Sequence, residues 1–525
     1  MSPDEIEELE RPGSIMKVDP EKLSLELTSE TGCGPRTDDS EKGPPGGIVQ
    51  RITAVLVQWG VETNGIVPIP EEGRTDPRLY QIFFVWFSAN ANVLTMAVGT
   101  VGPAFYGLGI RDSFLVILVV DVVTSAIPAY FAVFGPKLGT RGMVQSRFSW
   151  GYYGASIPSI LNIVSLQGYL ILNTIIGGQT LGSISAHLGA SLGIVIIGIT
   201  TLVVVFSGYR VLHWYETYVW IPNVVALIVM LGVSGKHLVN APLSSPFPTS
   251  ASAMMTFGAT LAATVVSYAP LTPDYGVYHD HKASTGRIFA YAYLGLLVSS
   301  LPVHLLGAAF AATALYVPSW QAGLGNGNNI GGLIAAVLSP AGGFGKFLLV
   351  PLSLTAPSQC APAMYTACTS LMTVSARFAR IPRYVLAMIS TAILIPVAIV
   401  GSTTFYAIFS DILGFIGYWI APFCAIVLTE HFMYRRNLWT SYHVLEAWDL
   451  PSHPNLPRGF AALSTFVITI GFIVLCMEQE WWTGPIARSG TGDVGMLLGF
   501  VVGVIVYGCA RALERKWENR NGVIW

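Results

Sequence analysis

Aromatic and amide side chains inside apolar segments are the residues of this chain best suited to bind a ligand. Tyr169 and Asn173 are four residues apart, so a helix would place them on one face. An aromatic ring beside an amide can stack on a planar heteroaromatic molecule and bind its polar edge. Tyr268 offers a second aromatic surface in another segment. The spacing predicts a site for a small planar ring, although such residues also serve to pack helices together.

Further polar residues fall in four of the apolar segments, the first, third, sixth and eighth. They are Ser88, Asn90, Asn92, Asn162, Gln167, Gln179, Thr272, Ser358, Gln359 and Cys360. Polar side chains are costly in lipid and usually face the interior of a helix bundle, so their concentration predicts a shared site. Asp121, His304 and Asp411 are ionisable residues in apolar segments, where each is a candidate for a proton path. His304 equally suits a packing role.

Two of the apolar segments contain residues that interrupt a helix. Pro270 and Pro273 are followed directly by Asp274, and each proline removes a backbone hydrogen bond. The earlier segment contains the polar run 86–92 followed by Gly99, Gly102 and Pro103, and we predict that its helix is also broken. Asp274 is expected to cap a half-helix or to bind a nearby Lys or Arg. Broken helices at matching places in two halves of a membrane chain indicate a transporter binding site.

The composition is that of a polytopic membrane protein. Only 11% of the 525 residues are charged and 52% are hydrophobic, whereas soluble domains have about 25% charged residues. No basic block indicates a nucleic-acid partner. The sequence has no CxxC or HExxH motif, so we expect no metal, no cofactor and no enzymatic activity.

Twelve apolar segments approach the roughly 20 residues that span a bilayer. The predicted spans are 83–106, 114–134, 157–183, 192–207, 218–235, 254–275, 289–316, 347–372, 384–400, 405–428, 460–477 and 494–512. We number the connections between spans with the N-terminus on the cytoplasmic side. The connections on the outer side then contain only Arg111, Lys236, Lys346 and Arg488, and the remaining Lys and Arg of the connections lie on the cytoplasmic side. This distribution obeys the positive-inside rule and predicts that both termini are cytoplasmic.

The two interrupted segments divide this all-α membrane protein into halves of five helices. An odd number per half gives the halves opposite topology, which is the LeuT-like inverted-repeat plan with two extra helices. We predict a disordered cytoplasmic tail at 1–47 and an amphipathic pre-membrane segment at 48–78, lying on the membrane or on the protein's own inner face. The ten-helix core is 79–430, with repeats at about 79–240 and 250–430. Helices 11 and 12 fall in 431–512, and a cytoplasmic tail follows at 513–525.

Several motifs of the chain, taken in order, resemble a known family. They include Gly60-Val61-Glu62, Trp86-Phe87-Ser88-Ala89-Asn90, Phe134-Gly135-Pro136-Lys137-Leu138-Gly139, Gly177-Gly178-Gln179 and Asp274-Tyr275. Together they resemble the fungal purine–cytosine permeases of the nucleobase–cation symporter-1 family. The resemblance implies twelve helices, a LeuT-like core, residence in the plasma membrane and proton-coupled uptake of a purine nucleobase or cytosine without a cofactor.

The resemblance also implies roles for individual residues. Ser88, Asn173 and Gln359 would bind the polar edge of the substrate, with Asn90 and Cys360 beside them. Tyr169 and Tyr268 would stack on the ring, at positions where the family has tryptophan. Pro270, Pro273 and Pro362 would keep the backbone open at the site.

The eighth segment departs from the family pattern. The family's Asn-Asn-x-Pro-Asn falls on Gln359-Cys360-Ala361-Pro362-Ala363, so most of the amides are replaced. An altered hydrogen-bonding group can change specificity strongly. Relatives in the same family carry vitamin B6 and other small ring compounds, so the resemblance makes vitamin B6 or another heteroaromatic nutrient an alternative substrate. A sensor that binds a nutrient and signals through the N-terminal tail without transport is a further alternative.

Overall fold

The computed structural model describes residues 65–520, with gaps at 186, 207, 247, 326, 376, 379–380 and 382. The predicted tail 1–47, residues 48–64 of the predicted amphipathic segment and the last five residues lie outside the described part.

The described chain is almost entirely helical. Its α-helices are α1 Tyr80–Asn90, α2 Val93–Ala104, α3 Ile110–Thr124, α4 Ala126–Leu138, α5 Gly142–Trp150, α6 Ser156–Gly182, α7 Ala190–Phe206, α8 Gly208–Asn240, α9 Ala251–Val266, α10 Thr285–Ala314, α11 Pro318–Leu324, α12 Ile330–Leu338, α13 Gly342–Ser353, α14 Thr355–Val374, α15 Arg383–Gly401, α16 Phe405–Thr429, α17 Val444–Ala447, α18 Phe460–Cys476 and α19 Gly495–Arg520. A two-stranded antiparallel hairpin, β1 Glu478–Gln479 and β2 Trp482–Thr483, joins α18 to α19.

Seven helical stretches of the described residues are long and apolar enough to cross a membrane, and the bent pair α1–α2 would form an eighth. Three shorter apolar helices, α7, α9 and α18, add to these. Helices suit this environment because lipid offers no hydrogen-bond partner to a free backbone group. The chain is therefore a multi-pass membrane protein, and the finer count of twelve spans stays a prediction.

The first break separates α1 from α2 at Ala91–Asn92, where the two helices meet at 55°. The side chain of Asn92 caps α2 by accepting a hydrogen bond from the Thr95 amide at 2.9 Å. This break lies within the predicted interrupted run 86–92, whereas the prediction that Gly99 and Pro103 interrupt the helix was wrong, because both residues lie inside α2. Gly99 instead permits close packing, since a Cβ there would lie 2.0 Å from a backbone oxygen of α10.

The second break follows α9 as predicted. Residues 267–271 form turns, and a 3₁₀ turn then runs over Thr272–Tyr275, so Pro270 and Pro273 both lie in irregular backbone. Asp274 has a structural role here, because its Oδ1 accepts a hydrogen bond from the Gly142 amide at 2.8 Å. The carboxylate thereby caps the N-terminus of α5, where a negative charge is favourable.

The last helix is longer than predicted, because α19 continues to Arg520 instead of ending at 512. Buried ion pairs account for the extension. Arg511 contacts Glu514 at 3.1 Å and Glu518 at 3.3 Å on its own helix, and Glu430 after α16 at 3.2 Å. These contacts stabilise the final turns and hold them against α16.

Candidate functional site

A cavity of about 820 Å³ lies between the two helix breaks. Side chains of α1, α2, α6, the second break, α14 and α16 line it. Among the predicted site residues, Ser88, Tyr169, Asn173, Tyr268 and Gln359 all line this cavity. Ser88 and Gln359 are far apart in sequence. The fold nevertheless places their side chains in one cavity, where the sequence had predicted a shared site.

Aromatic rings form one wall of the cavity. The ring of Tyr268 packs edge-on against Trp86, with centroids 5.5 Å apart, and Trp86 packs against Tyr275 at 5.4 Å. Tyr169 is fixed from the side, because its hydroxyl is 2.8 Å from the Ser267 hydroxyl. The rings are therefore held in place before a ligand binds, which lowers the entropic cost of binding.

Asn173 is positioned to bind the edge of a ligand. Its Nδ2 donates to the Tyr169 carbonyl at 3.0 Å, which orients the amide. Among the described residues, no hydrogen bond reaches the Asn173 Oδ1 or the Tyr268 hydroxyl, and both side chains line the cavity. The cavity thus offers an acceptor and a hydroxyl close to aromatic faces, which suits a flat heterocycle with N–H groups.

Gln359 joins α14 to the first break. Its Nε2 donates a hydrogen bond to the Ala89 carbonyl, and Asn92 donates to the same oxygen. Asn223 of α8 donates to the Ala91 carbonyl at 3.2 Å. Side-chain amides thus bind carbonyl groups that the bend removes from regular helix bonding. The Gln359 donor is therefore engaged by the backbone of the first break.

We expect Gln359→Glu to destabilise the protein by about 1–3 kcal/mol, because the variant places an acceptor opposite the Ala89 carbonyl. Thermal unfolding of the purified protein measures this effect. Gln321→Glu, at an exposed position of α11, is the matched control for a new carboxylate. A Gln359→Glu variant as stable as the wild type would contradict this role.

Two predicted contacts, Asn90 and Cys360, are not found in the cavity wall. Asn90 is buried with its Nδ2 bonded to the Trp86 carbonyl at 3.0 Å, so it stabilises α1 near the break. Cys360 is fully buried in the core. Successive helix residues point about 100° apart, so Gln359 and Cys360 do not face the same side. Pro362 lies inside the continuous helix α14, where the backbone is not open as predicted.

Charged residues lie at the mouth of the cavity, next to the start of α1. Arg78 forms an ion pair with Asp76 at 2.8 Å and lowers the pKa of the Asp76 carboxyl to about 2. Burial lowers the pKa of His279, and neither ring nitrogen of His279 has a hydrogen-bond partner among the described residues. Arg141 donates to the Tyr365 hydroxyl at 2.6 Å. Exposed Tyr80 completes this open end.

Sequence reasoning did not assign Trp86 or Trp419 to the site. Trp419 of α16 lines the cavity, and its Nε1 donates to the Ser165 hydroxyl at 2.8 Å. Trp86 precedes Ser88 by two residues and was noted only as part of a motif. Both are aromatic residues in apolar segments that contain, or lie next to, polar positions of the site. That combination is the sequence signal that could have identified them.

The chain is similar to known transport proteins over most of its length. A family model described as permease for cytosine/purines, uracil, thiamine, allantoin matches residues 68–447. The chain is 34% identical over 477 residues to the purine-cytosine permease fcyB of Emericella nidulans, covering 90% of this chain and 92% of that protein. It is 27% identical over 514 residues to the vitamin B6 transporter TPN1 of Saccharomyces cerevisiae, covering 88% and 89%.

The fold is also similar to a solved structure. Mhp1 in its inward-facing conformation gives a TM-score of 0.67 at 15% sequence identity, covering 87% of this chain and 96% of that chain. At this identity the likeness concerns the fold alone.

Proposed function

Because the chain belongs to the family of permeases for cytosine/purines, uracil, thiamine and allantoin, we propose that it is a secondary active transporter that imports a small planar heterocycle by proton symport. The expected substrate is a purine nucleobase or cytosine. The relatives are permeases, so the prediction that the chain is not an enzyme is confirmed.

The observation that carries this proposal is the cavity between the two helix breaks. It combines the rings of Tyr169 and Tyr268 with the Asn173 amide oxygen, and its volume of about 820 Å³ accommodates a ring compound with water. Tyr268 stacks on the substrate ring, and Asn173 accepts a hydrogen bond from a ring N–H. Ser88, which also lines the cavity, contributes a further polar contact.

Transport proceeds by alternating access in this proposal. The cavity mouth lies at the start of α1, where Tyr80 and Tyr278 are about half exposed. With both termini cytoplasmic, as the charge distribution predicts, this end faces the cytoplasm and the structure is inward-open. The twelve-helix, LeuT-like arrangement with two five-helix repeats and the plasma-membrane location belong to the same proposal.

Uptake assays in yeast that lacks its own carriers test the proposal. We expect saturable uptake of radiolabelled cytosine or adenine that a protonophore abolishes. Cells with an empty vector are the control, and surface abundance is measured in parallel. Absence of uptake of cytosine, adenine and pyridoxine, with the protein at the surface, would contradict the transport function and favour the sensor.

Vitamin B6 is a second candidate substrate, and a specific contact favours it. The family's eighth-helix amides are replaced here, and the remaining Gln359 amide donates to the Ala89 carbonyl. The hydroxyls of Tyr169 and Tyr268 occupy positions where the family has tryptophan. A pocket with more hydroxyl and fewer amide contacts suits a hydroxylated pyridine. Uptake of pyridoxine without uptake of cytosine or adenine would establish this alternative.

A further inference from the structure

An acid–histidine pair is buried between α3 and α10, outside the cavity described above. Asp121 Oδ2 is 2.8 Å from His304 Nδ1, and the two side chains are 0% and 1% exposed. Neither residue lines the cavity. A charged group at membrane depth is costly, and residues of this kind mark proton relays and ion pathways.

Each side chain of the pair has one polar atom in a hydrogen bond and a second polar atom without one among the described residues. Asp121 Oδ1 and His304 Nε2 are buried and have no partner among the described residues. Buried polar atoms without a partner are rare in native proteins and need an explanation. The hydrogen bond between Asp121 and His304 uses the other oxygen and the other nitrogen of the two side chains. Asp121 Oδ1 and His304 Nε2 can therefore bind a proton when α3 and α10 separate.

Within the described part of the chain, no other charged group contacts the pair. The helices α2 and α9, which pack against α3 and α10, contain no ionisable residue. On α3 itself, Asp112 is nine residues from Asp121, about 13 Å along the helix axis. Among the residues whose side chains the structure describes, the other ionisable groups on α3, on α10 and on the helices packed against them are Tyr80, Arg111, Tyr130, Lys137, Tyr218, Lys236, His237, Arg287, Tyr291 and Tyr293. Among these, the hydroxyl of Tyr293 donates to the backbone carbonyl of Val122.

The pair is linked through backbone contacts to the helix that begins at the cavity. A Cβ on Gly99 of α2 would lie 2.0 Å from the His304 carbonyl oxygen. A Cβ on Gly307 of α10 would lie 2.0 Å from the Met96 carbonyl oxygen. The two helices therefore touch along their backbones at His304 and again three residues after it. Since α2 starts at the first break and contributes Leu94 to the cavity, a shift of α10 displaces the cavity wall.

We propose that the Asp121–His304 pair binds the proton that is transported together with the heterocycle. With one proton the pair is neutral overall, whichever of the two groups holds it. Without that proton a net negative charge is buried, which favours an arrangement in which water reaches the pair. Proton binding thereby favours the closed packing of α2, α3 and α10. This inference rests on the proposed proton symport.

The test separates coupling from transport in the full-length protein reconstituted into liposomes. The probe is radiolabelled cytosine, or pyridoxine if the wild type transports only pyridoxine. The liposomes carry a membrane potential of about 100 mV, negative inside. If each probe molecule enters with one proton, this potential accumulates the probe inside about 50-fold. We expect wild-type protein to accumulate the probe. Asp121→Asn and His304→Gln are expected to lose accumulation but to keep exchange of internal for external probe.

Two further variants serve as controls. Asp121→Glu keeps a carboxyl next to His304 and is expected to retain accumulation. Asp411→Asn removes another carboxyl from an apolar helix, α16, and is also expected to retain accumulation.

Three results would overturn the proton site. Wild-type accumulation by Asp121→Asn and His304→Gln would remove the pair from coupling. Loss of exchange together with accumulation in both variants and in Asp121→Glu would indicate a packing role. Loss of accumulation in Asp411→Asn alone would place coupling at Asp411. A wild type that exchanges neither cytosine nor pyridoxine would instead contradict the proposed transport function, before any variant is compared.

Discussion

Replacing Asn173 by alanine is expected to lower uptake by about 100-fold at limiting substrate, while the protein remains at the cell surface. The Asn173 Nδ2 is bound to the Tyr169 carbonyl at 3.0 Å, so the amide oxygen is held in one orientation at the cavity wall. Alanine removes this acceptor and leaves a donor of the bound heterocycle without a partner. The loss of such a contact costs up to about 3 kcal/mol.

Gln167→Ala is the matched control for Asn173→Ala. Gln167 is also an amide residue of α6, but it bonds Ser390 and does not line the cavity. We expect the control to transport like the wild type, apart from a modest loss of stability. Uptake kinetics and surface abundance are measured for both variants. Unchanged kinetics for Asn173→Ala would remove Asn173 from the binding site.

Replacing Tyr268 by alanine is expected to raise the apparent KM by about 10- to 100-fold, because aromatic stacking on a base contributes about 1–3 kcal/mol. The ring of Tyr268 is held against Trp86 at 5.5 Å, and its hydroxyl has no partner among the described residues. Alanine also leaves space beside Trp86 that water fills.

Two aromatic replacements separate the ring of Tyr268 from its hydroxyl. Tyr268→Trp restores the residue type of the family and is expected to keep a KM near that of the wild type. Tyr268→Phe retains stacking, so any rise in KM reports the contribution of the hydroxyl. Concentration-dependent uptake measures all three variants. Equal KM values for wild type and Tyr268→Ala would exclude stacking at this position.

The second helix break was predictable because two prolines, Pro270 and Pro273, come three residues apart in one apolar segment. Pro270 lacks a backbone N–H, and irregular backbone follows α9 where it occurs. The location of the first break was less accessible. Asn92 caps α2, whereas Gly99 and Pro103 lie within that helix. Gly99 is used for backbone contact with α10, which depends on a neighbour that sequence spacing does not reveal.

The cavity walls were predictable where helix periodicity decides which residues share a face. Tyr169 and Asn173 are four apart, and both line the cavity. The same periodicity places Cys360 on a different face from Gln359, which the motif-based assignment ignored. The mouth could not be predicted, because Asp76 and His279 come from connections that are distant in sequence and meet only in the folded chain.

Substrate protection of an introduced cysteine tests most directly whether this cavity is the binding site. Ser88→Cys places a thiol in the cavity wall, and Ser244→Cys places one in an exposed loop outside it. Maleimide labelling of the purified protein is followed at each cysteine by mass spectrometry, with and without saturating cytosine or pyridoxine. We expect the transported compound to slow labelling at position 88 and to leave position 244 unaffected. Equal labelling rates at position 88 with and without a compound that the protein transports would contradict the location of the site.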